Sequence, residues 1–186
     1  MMIAWIVIAF IVTLFLWSVF AYNRLVTSRN DVQNAWSQID IQLKRRHDLI
    51  PNLVSAVRGY MDHEQHILEH LIAARSLALA AQKIPEKIVT EGRLSLEVKN
   101  LFAAMEAYPE LKANQNVLRL QDELVSTENR IAFSRQLYND LVANYMTLLQ
   151  VFPDVLIASF FGFKSAVYFS ASPDEQRPLP SVTVRQ

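Results

Sequence analysis

The chain opens on an unbroken apolar run and changes character abruptly after it. Residues 1–23 carry no Asp, Glu, Lys or Arg, and Ile3 to Phe20 reads IAWIVIAFIVTLFLWSVF, interrupted only by Thr13 and Ser18. Some twenty helical residues cover about 30 Å, the thickness of a bilayer's hydrocarbon core. Every face of this helix would be apolar, which suits lipid better than the one-sided core of a small soluble domain. Trp5 falls near one end of the run, and Trp17 and Tyr22 near the other, as interfacial aromatics do. A cleaved signal sequence would want a basic start, a shorter apolar core and small residues before the cut. Val19-Phe20-Ala21 could serve as that cut, but no Lys or Arg precedes the run. Residues 1–23 are expected to be a transmembrane anchor. Arg24 and Arg29 follow it, so the positive-inside rule places the rest in the cytoplasm, at a cytoplasmic (inner) membrane crossed once.

Beyond Arg24 the apolar positions become periodic. Leu25, Val32, Trp36, Ile39, Leu43, Ile50, Val54, Val57, Met61, Leu68 and Leu71 recur mostly at steps of three, four or seven, an apolar stripe on a helix. The stripe is blunted at Arg46 and His47. Pro51 lies inside it and removes one backbone donor, so a kink is expected there. The pattern predicts that this helix runs on to about Gln82, with Pro85 marking a turn. A second helix is predicted over Glu86 to Ala107, closed by Tyr108-Pro109. A third runs from near Glu110 to about Phe152, closed by Phe152-Pro153, and a short fourth from Asp154 to about Phe163. Short connections make neighbouring helices antiparallel. The expected fold is all-α: an N-terminal transmembrane helix, then an up-and-down bundle of long antiparallel helices over residues 24–169. The proline-rich tail 170–186 is expected to be disordered.

Composition narrows the chemistry. The 18 basic and 18 acidic residues cancel, so no excess positive charge favours nucleic acid. With no cysteine there are no disulfides or thiolates, and three scattered glycines cannot build a phosphate-binding loop. No serine sits in a glycine-flanked elbow. His63, His66 and His70 share a helix face with Glu69 nearby, a spacing compatible with metal ligands, but Ile67 stands where a zincin motif needs its second histidine. They are read as exposed residues, and no metal or cofactor is expected.

Two polar patches interrupt the stripes: Lys44-Arg45-Arg46-His47-Asp48, and Glu123, Thr127, Glu128, Asn129, Arg130 and Arg135. They read either as solvated faces with intrahelical pairs, Glu123 with Arg130 and Glu128 with Arg135, or as partners across the bundle, Arg45 or Arg46 with Glu123 or Glu128. Such a buried pair would fix register more than it would add stability. A catalytic carboxylate pair is the third alternative. The basic cluster lies 22 residues past Tyr22, about 33 Å along a helix, too far to grip lipid headgroups. Ile157 to Phe163 is dense in aromatics. Phe160, Phe161 and Phe163 either cap the core or form a surface for a partner, another copy or lipid.

Several segments together resemble the LemA family. They are Tyr22-Asn23-x-Leu25-Val26, the run from Ala35-Trp36-Ser37-Gln38 through Arg45-Arg46-x-Asp48-Leu49-Ile50-Pro51-Asn52-Leu53-Val54, and Val57-x-Gly59-Tyr60-x-x-His63-Glu64. Tyr108-Pro109-x-Leu111-Lys112-Ala113-Asn114, Leu120-Gln121-x-Glu123-Leu124-x-x-Thr127-Glu128-Asn129-Arg130-Ile131-Ala132 and Gly162-Phe163 continue the likeness, which covers about residues 22–169. The resemblance implies a single-pass, membrane-anchored helical bundle of the bacterial envelope with no established enzymatic activity. Genes of the family often neighbour a membrane metalloprotease, which implies an accessory role. Some relatives carry a lipoprotein signal in place of the span, which would put their bundle outside the inner membrane. The expected function is a non-enzymatic membrane scaffold that self-assembles into a homo-oligomer; the alternative is an adaptor or regulator of a membrane metalloprotease. The contact residues expected to matter are Arg45, Arg46, Asp48, Pro51, Glu123, Thr127, Glu128, Arg130, Phe160, Phe161 and Phe163.

Overall fold

A computed structural model describes residues 1–61 and 63–169. The described residues form six helices and no strand: α1 (Met2–Val57), α2 (Gln65–Ala80), α3 (Ile84–Met105), α4 (Pro109–Ala113), α5 (Gln115–Leu148) and α6 (Asp154–Phe160). The described residues are all-α, as the periodicity predicts. The tail from Ser170, expected to be disordered, lies outside the described residues.

Helix α1 runs from the apolar leader straight into the periodic stripe. Its first turns are exposed on every side, and this segment is long and apolar enough to cross a membrane. Pro51 does not end the helix: its ring is on the exposed side, away from the packed stripe. Several expected boundaries were wrong. The long first helix stops at Val57 instead of Gln82. Arg58, Gly59 and Tyr60 form a turn, where glycine's low helix propensity weakens the pattern, and Met61 drops into the core. The third helix is broken at Asn114. The Asn114 carboxamide oxygen accepts from the backbone N–H of Asn116 (3.0 Å) and Val117 (3.3 Å), capping the start of α5. The last two helices also end earlier than expected, at Leu148 and Phe160.

The described contacts group into two compact units. One comprises Met1–Ile41 and Ala132–Tyr168. Its core is built from Leu25, Val32 and Ile39 of α1, Tyr138, Val142 and Tyr145 of α5, and Ala158 of α6. Trp36 meets Tyr138 edge-on, with ring centroids 5.5 Å apart. Tyr138 and Tyr145 donate their hydroxyls to the backbone carbonyls of Val167 (2.7 Å) and Lys164 (2.9 Å), tying down the non-helical segment after α6. Burial pushes both phenols above their ordinary value, and the nearby Arg29 charge offsets part of that for Tyr145.

The other unit comprises Gln42–Ile131 and, of the described C-terminal residues, Phe169. Here α2 packs on α3 across a three-residue connection, as antiparallel neighbours do. The core joins Ile50, Leu53 and Val57 of α1 to Leu71, Leu94, Leu101, Leu111, Val117 and Leu124. Each such fully buried aliphatic side chain contributes about 1.5–3 kcal/mol of transfer free energy. Tyr108, the residue before α4, donates its hydroxyl to the Glu64 carboxylate just before α2, closing one end of this unit.

Candidate functional site

The second unit holds a charged cluster inside its apolar core. The stripe of α1 has a basic gap at Arg46, between Leu43 and Ile50. The stripe of α3 has an acidic gap at Glu91, between Ile88 and Leu94. That of α5 has a polar gap at Thr127 and Glu128, between Leu124 and Ile131. Helical periodicity turns all three gaps inward, and they meet.

Arg46 is wholly buried (0% exposed). One terminal nitrogen of its guanidinium donates to Glu128 Oε1 at 2.6 Å and to Ser95 Oγ at 2.5 Å. The other donates to the Glu91 carboxylate and, at 3.3 Å, to the Glu91 backbone carbonyl. Ser95 relays the contact by donating to Glu128 Oε2 at 3.2 Å. His47 Nε2 lies 2.8 Å from Glu91 Oε1. Burial alone would push the Glu91 carboxyl up. The hydrogen bond from His47 and the Arg46 charge outweigh it, and the group is held below its ordinary value. An ionised carboxylate only accepts, so Nε2 is the protonated nitrogen of His47. One guanidinium thus faces two carboxylates across three helices, and the His47 imidazole meets one of those carboxylates. The carbonyl of His47 also accepts from Arg75 Nε at 2.9 Å, which adds α2 to the same junction. Ion pairs of this kind add little net stability, because desolvation offsets the Coulombic gain, but losing one member exposes the others to that cost.

The structure thus brings Arg46 and Glu128 together. Arg45 and Glu123 approach to 3.8 Å on the solvent side, each about half exposed. Thr127 is buried and donates its hydroxyl to the Glu123 carbonyl at 2.7 Å within α5. Asp48 and Arg130 lie exposed, outside the cluster, and Asp48 contributes only its backbone carbonyl to Asn52. His63, His66 and His70 are exposed, with the last two rings 6.3 Å apart. Among the described residues no group of three or more candidate ligands could hold a metal. Sequence reasoning missed Glu91 and Ser95 altogether and left His47 without a role. The signal for Glu91 was present: it is an acidic residue at a stripe position of α3.

The three phenylalanines belong to the first unit. Phe161 and Phe163 pack on Tyr22 with centroids 4.7 Å and 5.8 Å away, and Arg29 sits 5.4 Å from the Phe163 centroid. Phe160 touches Phe161 (5.1 Å) but is otherwise open. The turn that aims them is built on Gly162, whose φ of +66° favours glycine. Gly162 N–H donates to the Ser159 carbonyl (3.3 Å) and Phe163 N–H to that of Ala158 (3.0 Å), a Schellman closure of α6.

These features define a class: among the described residues, an all-helical protein with one helix long and apolar enough to cross a membrane and an ionic junction buried among packed helices. The LemA family profile matches residues 35–184. The chain belongs to the LemA family. Among curated proteins it is similar to Magnetosome protein MamQ 2 of Paramagnetospirillum magneticum, 26% identical over 93% of this chain and 72% of that one. It is also similar to Magnetosome protein MamQ of Magnetospirillum gryphiswaldense, 25% identical over 92% of this chain and 71% of the relative. A third relative is Protein LemA of Metamycoplasma hominis, 24% identical over 88% and 75%.

Proposed function

We propose that this chain is a non-enzymatic membrane scaffold: α1 anchors it in the bilayer, and its helical units make contacts, with further copies of itself as the first partner. The observation that carries this reading is how the buried charges are used. Arg46, His47, Glu91, Ser95 and Glu128 bond chiefly to one another within the packing. A depression of about 310 Å³ in the same unit is lined by other residues, Arg58, Met61, Gln65, Leu68, Glu69 and Ile72. Groups held this way set which helices meet and in what register, and they are poorly placed to meet a substrate. The apolar, fully exposed start of α1 supports the anchor. Relatives named for the magnetosome support a role within an assembly. Arg24 and Arg29 directly after the span favour a cytoplasmic location for the helical units. Phe133 and Leu137, exposed one turn apart on α5, offer a surface that copies can share.

The test is affinity capture of the tagged, intact protein from gently solubilised membranes that also contain untagged protein. Recovery of the untagged copy, lost in a Phe133→Asp, Leu137→Asp variant, is the expected result. Recovery of a different protein at a fixed ratio, a membrane metalloprotease for instance, with no untagged copy, would replace the scaffold by an adaptor.

A further inference from the structure

The end of the apolar span and the α6 region pack against each other within one unit. Ala21 is buried, and Tyr22 holds Phe161 and Phe163 against α1. Arg24 pairs with Asp154, the first residue of α6, whose side chain is almost fully buried. Tyr22 stands two residues past Phe20, about 3 Å further along the helix. The α6 region therefore lies level with the point where α1 leaves the hydrocarbon.

At that level the unit presents bare apolar side chains. Phe152, Leu156 and Phe160 recur at steps of four and are 80%, 57% and 83% exposed, and the neighbouring Phe161 is 55% exposed. The opposite side of α6, at Asp154 and Ala158, is buried. The helix is thus two-sided, with its apolar face turned outward. In water such a patch is costly and rarely left open. Directly beside a membrane span, the natural cover is lipid: aromatic and aliphatic side chains enter the headgroup–acyl boundary by about 5–10 Å.

We propose that α6 and the residue before Pro153 form a second membrane contact, with Phe152, Leu156, Phe160 and Phe161 inserted into the leaflet that α1 leaves. The chain would then be held at two points, a spanning helix and an interfacial wedge. The Arg24–Asp154 pair and the Tyr22–Phe161 contact hold the wedge at fixed height. The proposal rests on the anchoring of α1 in lipid.

The chain has no cysteine, so single reporters can be placed without background. The full-length variants Val12→Cys, Phe160→Cys and Gln38→Cys are spin-labelled and reconstituted in phosphatidylcholine–phosphatidylglycerol nanodiscs. Collision with lipid-soluble oxygen is compared with collision with a water-soluble nickel chelate. Position 160 is open, so the label should not disturb folding. Gln38 is exposed sixteen residues beyond Tyr22, about 24 Å along α1, and serves as the aqueous reference. The expected result is oxygen dominance at 12, a several-fold excess of oxygen over nickel collisions at 160, and nickel dominance at 38. Nickel dominance at 160 with oxygen dominance at 12 overturns the wedge and leaves the anchor standing. Shielding of 160 from both reagents also overturns it, in favour of a protein partner on this face. Nickel dominance at 12 removes the anchor and the wedge together.

Discussion

Replacing Arg46 by alanine should be among the most damaging single changes in the second unit. The side chain is fully buried, and its removal leaves the Glu91 carboxylate, itself 3% exposed, without its cation. Stripping one partner from a buried pair costs about 3–5 kcal/mol. Glu128 is 27% exposed and can turn to solvent, so its share of the loss is small. For a domain of this size each kcal/mol moves the melting temperature by roughly 2–4 °C, so a loss of about 3–5 kcal/mol should make Arg46→Ala melt roughly 6–20 °C below wild type at pH 7. The assay is thermal unfolding of the full-length protein in detergent, followed by circular dichroism at 222 nm. Acid should narrow the difference, because the Glu91 carboxyl, without the Arg46 charge that helps hold it low, takes up a proton more readily. An Arg46→Met, Glu91→Gln variant, which leaves no bare charge in the core, should melt well above Arg46→Ala. A melting temperature within about 2 °C of wild type for Arg46→Ala, an effect typical of exposed sites, would refute the reasoning.

Other outcomes rest on the same contacts. Glu91 is held below its ordinary value, so its contribution to stability should be complete above about pH 4.5 and fall away as pH drops through the lower folded value; pH-dependent urea unfolding should show this acid limb flattened in Glu91→Gln. Tyr138 and Tyr145 have raised values, so their contribution holds up to about pH 10, the ordinary phenol value, and is lost as pH climbs through the folded ones. Replacing both by Phe should cost about 1 kcal/mol each and speed limited proteolysis between Lys164 and Val167. Asn114→Ala should cost about 1 kcal/mol through loss of the α5 cap, read as a lower urea midpoint with unchanged slope. Arg130→Ala and Asp48→Ala, both at exposed positions, should stay within about 0.5 kcal/mol of wild type in the same urea titration.

The helices were legible because their stripes are long and their core residues keep helical spacing. The boundaries that failed were set by single residues. At Val57 the periodic pattern runs on through Met61 and Leu68, but the Gly59 turn lets the chain leave the helix while Met61 still reaches the core. At Asn114 a side-chain cap restarts the helix, and neither side of the break differs in hydropathy. The buried junction was half legible. Arg46 and Glu128 stood out as charges within polar clusters. Glu91 stood alone in an amphipathic stretch, where one acidic residue looks like noise until the matching gaps on three helices are set side by side. Ser95 bears no pattern of its own, since a serine relay is defined only by the carboxylate and guanidinium it meets in space.

The most direct measurement of the scaffold reading is the mass of the intact full-length protein carried in lipid nanodiscs, taken by native mass spectrometry at several protein concentrations. The account predicts a particle holding more than one copy of the 186-residue chain, still embedded in lipid and unchanged on dilution. A single copy at every concentration, or a chain that leaves the nanodisc altogether, would contradict it.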